Sequence, residues 1–198
     1  MSCEDFVYRV ASDLYYNGYC NSIEEGCESI KKHTGFGVES AIDTNYKRLS
    51  WDSYFMSLAF LVALRSPDSQ TQHGAVIVGQ DNAIISTGYN GFLPGVEDVC
   101  MPNTRPLKYQ HVIHAEVNAI LSAARDLRGC KIYITGMPCN ECLKVIAKTG
   151  IKHVIVGDRT HVLAAGYFEM QTLICTMHEI TIEKFVGNLA HLEGRKLQ

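Results

Sequence analysis

From residue 50 onward, the hydrophobic positions of the chain follow first a helical and then a strand period. Apolar residues recur every three or four positions from Ser50, a favoured N-cap type, to Val62, and they predict a helix that ends before Pro67. Two short apolar runs follow at residues 74–78 and 83–86, separated by the turn-forming sequence Gly-Gln-Asp-Asn. These runs predict a β-hairpin.

The alternation of periods continues toward the C-terminus. A long connection over residues 88–113, of a length that is usually functional or disordered, leads to a helix beginning near residue 114, and another helix begins near residue 139 and ends at Gly150. Strand patterns occupy residues 131–135, 152–156 and 180–182, and a further helix is predicted over residues 164–177. This order predicts an α/β fold, with helices on both faces of a mixed sheet and a parallel crossover between residues 129 and 157.

The N-terminal residues differ in character from the rest of the chain. Apolar residues over 6–14 lie on one face of a predicted helix, and Ser22 begins a capping box that opens a second helix. Residues 38–46 are predicted to add a further helical turn or two. We therefore predict a helical N-terminal extension over residues 1–48 and one larger domain over residues 49–198.

Three metal-type side chains lie at the starts of two predicted helices. His114 opens one helix, and Cys139 and Cys142 lie on the first turn of the other, so both N-termini can converge at one end of the sheet. A helix N-terminus and a metal ion both favour the thiolate form of cysteine. Three protein ligands leave a fourth position to water, as in a catalytic zinc site, and zinc lowers the pKa of that water toward ~7. Glu116, two residues from the histidine, is placed to transfer protons rather than to bind the metal.

The combination of these residues is more specific than its parts. A lone His-x-Glu occurs by chance, and a lone Cys-x-x-Cys is as often structural or redox-active. Together with Pro138 before the first cysteine, they match the signature of zinc deaminases that act on cytosine or adenine. A thioredoxin-like redox protein would explain the cysteines but not His114 and Glu116.

Composition and charge narrow the class of substrate. The 198 residues carry a formal net charge of −3 and contain no Lys/Arg run of the kind that follows a phosphate backbone, so no nucleic-acid polymer is expected as a partner. No apolar run is long enough to span a bilayer, and no basic-then-apolar leader opens the sequence. We therefore expect a cytoplasmic protein without a membrane partner, in which Cys3, Cys20, Cys27, Cys130 and Cys175 are buried thiols.

Six motifs along the chain carry a resemblance to a known family. They are Trp51-Asp52-Ser53-Tyr54-Phe55-Met56, Arg65-Ser66, Gly74-Ala75-Val76-Ile77-Val78, Gly88-Tyr89-Asn90-Gly91, His114-Ala115-Glu116-Val117-Asn118-Ala119-Ile120 and Pro138-Cys139-Asn140-Glu141-Cys142. The chain closely resembles the deoxycytidylate deaminases from about Trp51 to Phe185. The resemblance implies the cytidine deaminase fold, a three-layer α/β/α arrangement with a mixed five-stranded sheet. It also implies a zinc-dependent deaminase domain that hydrolyses dCMP to dUMP and ammonia, which would supply dUMP for thymidylate synthesis.

The resemblance further assigns roles to individual residues. One catalytic zinc ion per chain would be held by His114, Cys139 and Cys142, with Glu116 as the catalytic proton shuttle. The substrate-binding residues would be Asn90 and Ala115 at the nucleoside and Arg65 and Ser66 at the 5′-phosphate. The effector-binding residues would be Tyr89, Gly91 and Arg125.

Regulation and assembly are also implied by the resemblance. Activation by dCTP and inhibition by dTTP are expected, and Mg²⁺ would accompany a triphosphate effector. The chain would form a homo-oligomer, with a hexamer favoured. Its expected partners are therefore a nucleotide substrate, nucleotide effectors and further copies of the chain.

Several alternatives remain open on the sequence. The substrate could be another free cytosine nucleotide or nucleoside, such as dCTP, deoxycytidine or a modified dCMP, or the chain could be a non-catalytic, zinc-stabilised module that senses nucleotides. Asn90 lies in a glycine-flanked segment and also suits a tight turn, and Arg65 could simply cap a helix end. Cys100 and His111 could contribute to a second zinc site, although no further ligands have suitable spacing. His73, where the family mostly has a small apolar residue, is expected to be a core or loop histidine.

Overall fold

The computed structural model of the chain describes residues 11–12, 15–16, 21–34, 48–95, 97–159, 167–187 and 189. It divides the chain into two compact units, residues 1–48 and residues 49–198. No helix within the described residues is both long enough and apolar enough to cross a membrane.

In the first unit, helix α1 (Ile23–Thr34) begins with the predicted capping box. The Glu25 amide donates to the Ser22 hydroxyl at 3.1 Å, and the Glu25 carboxylate accepts the Asn21 N–H at 2.7 Å. The predicted apolar positions Phe6, Val10 and Leu14 lie outside the described residues, as does the predicted segment 38–46.

The second unit contains the predicted alternation of helices and strands. Its helices are α2 (Trp51–Ala63), α3 (Ala115–Ala123), α4 (Asn140–Thr149) and α5 (Tyr167–His178), and its strands are β1 (Gly74–Val78), β2 (Ile84–Tyr89), β3 (Lys131–Gly136), β4 (His153–Arg159) and β5 (Thr181–Lys184). The Ser50 hydroxyl accepts the Ser53 N–H at 3.1 Å and caps α2, as the sequence predicts.

These strands form one mixed sheet in the order β2-β1-β3-β4-β5. β1 is antiparallel to both of its neighbours, whereas β3, β4 and β5 pair in parallel. The predicted mixed sheet and parallel crossover are therefore confirmed. β2 continues past its predicted end at residue 86, because its pairing with β1 extends until Tyr89 lies opposite Gly74.

Alternate side chains of the sheet point into two separate cores. On one face, α2 packs through Phe55 and Met56, which are fully buried. On the opposite face, Ala119 of α3, Leu143 of α4 and Ile174 of α5 belong to a second core. Fully burying a large apolar side chain contributes roughly 1.5–3 kcal/mol, so both helical layers are stabilised against the sheet. The predicted three layers are present.

Gly88 allows α3 to lie directly against β2. A Cβ atom at this position would lie 2.2 Å from the backbone nitrogen of Ala119, so no larger residue fits without moving the helix. The Ser86 hydroxyl donates to the Ala119 carbonyl at 2.7 Å and ties the two elements together. The helix that carries Glu116 is thereby fixed against the sheet.

Candidate active site

Two helix starts meet at the candidate site, as the sequence predicts. His114 is the N-cap residue of α3 and Cys139 is the N-cap residue of α4, and both have extended backbone. The Cys139 sulfur accepts the Cys142 N–H at 3.4 Å, so a thiol takes the place of the usual capping hydroxyl. The His114 imidazole makes no capping hydrogen bond and faces the two cysteines instead.

The three side chains have the spacing of a tetrahedral metal site. His114 Nδ1 lies 3.5 Å from Cys139 Sγ and 3.3 Å from Cys142 Sγ, and all three donor atoms lie within 4.8 Å of one another. Zn–S distances of about 2.3 Å and Zn–N distances of about 2.05 Å would place tetrahedral ligand atoms roughly 3.5–3.8 Å apart. One nitrogen and two sulfur atoms also form a donor set that zinc prefers. The residues present therefore fit a single zinc ion.

Hydrogen bonds among the three side chains shift the pKa of each of them. A hydrogen bond from the Cys142 thiol, aided by His114 and the Cys142 amide, lowers the pKa of Cys139 to about 3 although burial opposes it. The same hydrogen bond, together with burial, raises the pKa of Cys142. The hydrogen bond to Cys139 also raises the pKa of His114. A divalent zinc ion can displace the protons that these groups hold and so complete the site.

Glu116 lies in the first turn of α3, and only 5% of its surface is exposed. Burial raises the pKa of its carboxyl group. Its charge contributes to the raised pKa of Cys142, which places it beside the thiols, but it is not one of the three clustered donors. A buried carboxyl next to a metal donor set is suited to hold and transfer a proton.

The donor group opens into a cavity of about 430 Å³, a size that suits a small organic ligand. The start of α3, the connection between α2 and β1, and the loop between β2 and α3 all contribute to its wall. Ten lining residues carry polar side chains: Asp68, Thr71, His73, Asn90, Arg105, Lys108, Tyr109, His114, Glu116 and Cys139. The cavity thus contains both proton-transfer and charged binding groups.

Asn90 lines this cavity, and the hydrogen bonds of its side-chain amide hold neighbouring residues of the wall in place. Asn90 Oδ1 accepts the His73 N–H at 2.6 Å, while Nδ2 donates to the Thr71 carbonyl at 2.9 Å and to Asp68 Oδ2 at 3.3 Å. Its backbone φ is not positive, so the turn alternative does not explain the residue.

The other predicted substrate contacts divide into two groups. Ala115 lines the cavity together with Glu116. Ser66 is buried behind the cavity, where its hydroxyl donates to the Asn90 carbonyl at 2.6 Å. Arg65 is exposed just after α2 and is not among the residues that line the cavity. The structure therefore brings Ala115, but not Arg65 or Ser66, to the cavity wall.

The predicted effector residues lie outside the cavity. Tyr89 is half-buried at the end of β2, and Gly91 is buried and bridged to Ile113 by backbone hydrogen bonds of 2.8 and 3.0 Å. Arg125 is exposed and follows α3 rather than lying within it, because the left-handed conformation of Ala124 ends the helix. Among the described residues, no hydrogen bond joins Arg125 to the other two.

A buried ion pair in the cavity wall was not predicted from the sequence. Lys108 Nζ lies 2.7 and 2.9 Å from the two oxygens of Asp68, and both residues are almost fully buried. Burial raises the pKa of Asp68, but the hydrogen bonds from Lys108 and from the backbone of Gln70 and Thr71 outweigh it, and the net pKa is lowered. The length of the connection over residues 88–113 was the only sign in the sequence that this loop contributes to a site.

His73 is a loop residue directly before β1, in keeping with the expected loop histidine. It lies in the cavity wall, and its Nδ1 is 3.1 Å from the Thr135 hydroxyl at the end of β3. By contrast, Cys100 and His111 are exposed and do not form a metal cluster. Within the described part of the chain, the His114, Cys139 and Cys142 group is the only cluster of three or more such ligands.

Residues 49–158 match the family model described as the cytidine and deoxycytidylate deaminase zinc-binding region. Among individual proteins, human deoxycytidylate deaminase is 40% identical over 146 residues, which are 70% of this chain and 81% of the human protein. Mouse deoxycytidylate deaminase is 45% identical over 121 residues, which are 57% of this chain and 68% of the mouse protein. The matched region contains all three metal-type residues and Glu116.

Solved structures show the same architecture. The dCMP deaminase of cyanophage S-TIM5, solved in complex with dCMP and dUMP, aligns with a TM-score of 0.53 at 24% identity. The alignment covers 71% of this chain and all of the phage chain. The predicted three-layer fold is therefore confirmed.

Proposed function

The chain belongs to the cytidine and deoxycytidylate deaminase family, and from this membership we propose that it hydrolyses dCMP to dUMP and ammonia. The family makes the chain a hydrolytic deaminase with a zinc-binding region. The relatives at 40% and 45% identity are named deoxycytidylate deaminases, which favours dCMP over other cytosine nucleotides as the substrate.

One observation carries the proposal: His114 and Cys139 of the His-Cys-Cys donor set line the same cavity as the buried Glu116. A structural zinc site is closed by four protein ligands, whereas this cluster of described residues offers three. A non-catalytic nucleotide sensor would not require a buried carboxyl beside these donors. The arrangement therefore supports an enzyme rather than a binding module.

The roles of the residues follow from their positions. His114, Cys139 and Cys142 would hold zinc, which would supply an activated water at neutral pH when bound. Glu116 would accept a proton from the attacking water and give it to N3 of the cytosine ring, and would then accept the second proton of that oxygen and give it to the departing amine. Asn90 and Ala115 would hold the nucleoside in the cavity, and burial of the cavity floor would exclude bulk water from the reacting atoms.

The proposed substrate is tested by comparing ammonia release from dCMP, dCTP, deoxycytidine and cytidine under the same conditions. We expect dCMP to give the highest kcat/KM, since a charged contact to its phosphate would contribute roughly 10- to 100-fold over the nucleoside. A higher kcat/KM for deoxycytidine or dCTP would contradict the proposed substrate.

Regulation by deoxynucleoside triphosphates is part of the proposal. dCTP would activate and dTTP would inhibit, with Mg²⁺ bound to the triphosphate, and the chain would act as a homo-oligomer such as a hexamer. Asn118 of α3 donates to the Tyr89 carbonyl at 2.8 Å, so the helix that carries Glu116 is joined to the end of β2. An effector bound near Tyr89 would thus contact a strand end that is hydrogen-bonded to the helix carrying Glu116.

Charge reversal at Arg125 tests this regulation. We expect sigmoidal dCMP saturation in the wild-type protein that becomes hyperbolic with dCTP, with a coupling free energy of about 1–3 kcal/mol. Arg125→Glu should abolish the response because it would repel a triphosphate, while the zinc content stays unchanged. Arg128→Glu is the control, since Arg128 is also an exposed cation and forms an ion pair with Asp126. Hyperbolic wild-type kinetics that neither nucleotide alters would contradict the proposal.

A further inference from the structure

The loop between β2 and α3 is anchored at two points to the connection between α2 and β1. Asn103 Nδ2 donates to the Pro67 carbonyl at 2.8 Å, and the buried Lys108 binds Asp68. Arg105 lies between these two anchors. Because the loop is held on both sides of it, the Arg105 backbone is fixed at the cavity.

The Arg105 side chain faces the same cavity as His114 and Glu116. Its Nη2 lies 3.3 Å from the Thr71 hydroxyl, and its guanidinium carbon lies 5.8 Å from the centre of the Tyr109 ring. These contacts orient the planar guanidinium without neutralising its charge. Among the described residues, no carboxylate lies within ion-pair distance of Arg105.

The two cations of this wall differ in what they can bind. Lys108 is 3% exposed and forms an ion pair with Asp68, so its charge is not available to a ligand. Arg105 is exposed and its charge is available to a ligand. A guanidinium group presents paired N–H donors that match the oxygens of a phosphate group.

We propose that Arg105, together with the Thr71 hydroxyl, forms the subsite that binds the 5′-phosphate of the nucleotide. This inference rests on the proposed function, in which the substrate is a nucleoside monophosphate. It replaces Arg65 as the phosphate contact, because Arg65 lies outside the cavity wall. Arg105 would therefore determine the specificity for nucleotide over nucleoside.

Product binding tests the subsite without turnover. Isothermal titration calorimetry of the zinc-loaded protein would compare dUMP with deoxyuridine for the wild type and for Arg105→Ala. We expect Arg105→Ala to weaken dUMP binding about 10- to 100-fold and to change deoxyuridine binding less than about 2-fold. Arg105→Lys should restore only part of the affinity, because an ammonium group keeps the charge but not the paired donors.

Two further arginines serve as matched controls. Arg65→Ala tests the earlier candidate directly, and Arg128→Ala removes an exposed cation that does not line the cavity. Both variants should bind dUMP like the wild type. Since Arg105 is exposed, its variants should fold, which thermal melting would check.

Other results would overturn the inference. Equal losses for dUMP and deoxyuridine in Arg105→Ala would show a general role in cavity shape. A dUMP-specific loss in Arg65→Ala instead would move the phosphate to that residue. If wild-type protein binds dUMP and deoxyuridine equally, no phosphate subsite exists. Failure of the proposed function is a separate result, because it would appear as absent dCMP deamination in the wild type.

Discussion

Replacing Glu116 with glutamine is expected to lower dCMP turnover by at least about 10²-fold while the fold and the zinc content are retained. Glutamine has nearly the same shape and can remain in the buried position, but it cannot accept and return a proton. General acid–base catalysis of this kind contributes typically about 10²- to 10⁴-fold in rate. The measurements are steady-state ammonia release, zinc per chain by elemental analysis, and circular dichroism.

Two cysteine variants separate proton transfer from metal binding. Cys142→Ala should lose zinc and turnover together, because Cys142 is one of three clustered donors. Cys100→Ser should lose neither, because Cys100 is exposed and outside that cluster. Turnover by Glu116→Gln within a few-fold of the wild type would remove Glu116 from the mechanism. Full turnover by a zinc-free Cys142→Ala variant would show that the metal has no role in the reaction.

The metal donors could be predicted from the sequence because local rules determine their positions. His114 and Cys139 each occupy the N-cap of a helix, and cap positions can be recognised from a few neighbouring residues. Cys142 follows three residues later, in the first turn of the same helix. Only one long-range condition was then required, namely that β3 joins the two helices so that their starts lie at the same end of the sheet.

The cavity wall could not be predicted in the same way. Asp68 and Lys108 are 40 residues apart in sequence, and neither belongs to an apolar pattern that would indicate burial. A buried lysine is rare unless it is paired, so composition alone favoured an exposed position for it. The resemblance assigns the phosphate to Arg65, which lies in a motif beside a predicted helix end, yet Arg65 does not line the cavity.

Asn90 remains a predicted substrate contact, and the structure shows a second role for its side chain. Its motif suggested either a substrate contact or a turn. In the structure its amide joins His73, Thr71 and Asp68, so it organises the wall that Arg105 and Lys108 complete. These three hydrogen bonds depend on the tertiary structure, because they join Asn90 to residues that precede it by 17 to 22 positions in the segment between α2 and β1.

Replacing Lys108 with methionine is expected to lower the free energy of unfolding by about 3–5 kcal/mol. Methionine fills a similar volume but leaves the Asp68 carboxylate buried without its counter-charge, and loss of one partner of a buried ion pair typically has this cost. Urea denaturation at neutral pH would measure the change. Lys144→Met is a matched control, because Lys144 and Glu141 also pair at 2.7 Å but are 56% and 79% exposed. An exposed pair contributes little, so this variant should stay within about 1 kcal/mol of the wild type.

A second substitution and a pH series distinguish the ion pair from simple packing. Asp68→Asn combined with Lys108→Met should be less destabilised than the sum of the single variants, because no buried charge is left. The folded-state pKa of Asp68 is lowered, so the pair stabilises the wild type above the unfolded pKa of about 4, and this stabilisation is lost as the pH falls through the folded pKa. The stability difference between wild type and Lys108→Met should therefore narrow in acid. A difference that is independent of pH, with strictly additive variants, would mean that Lys108 contributes through its hydrocarbon chain rather than through its charge.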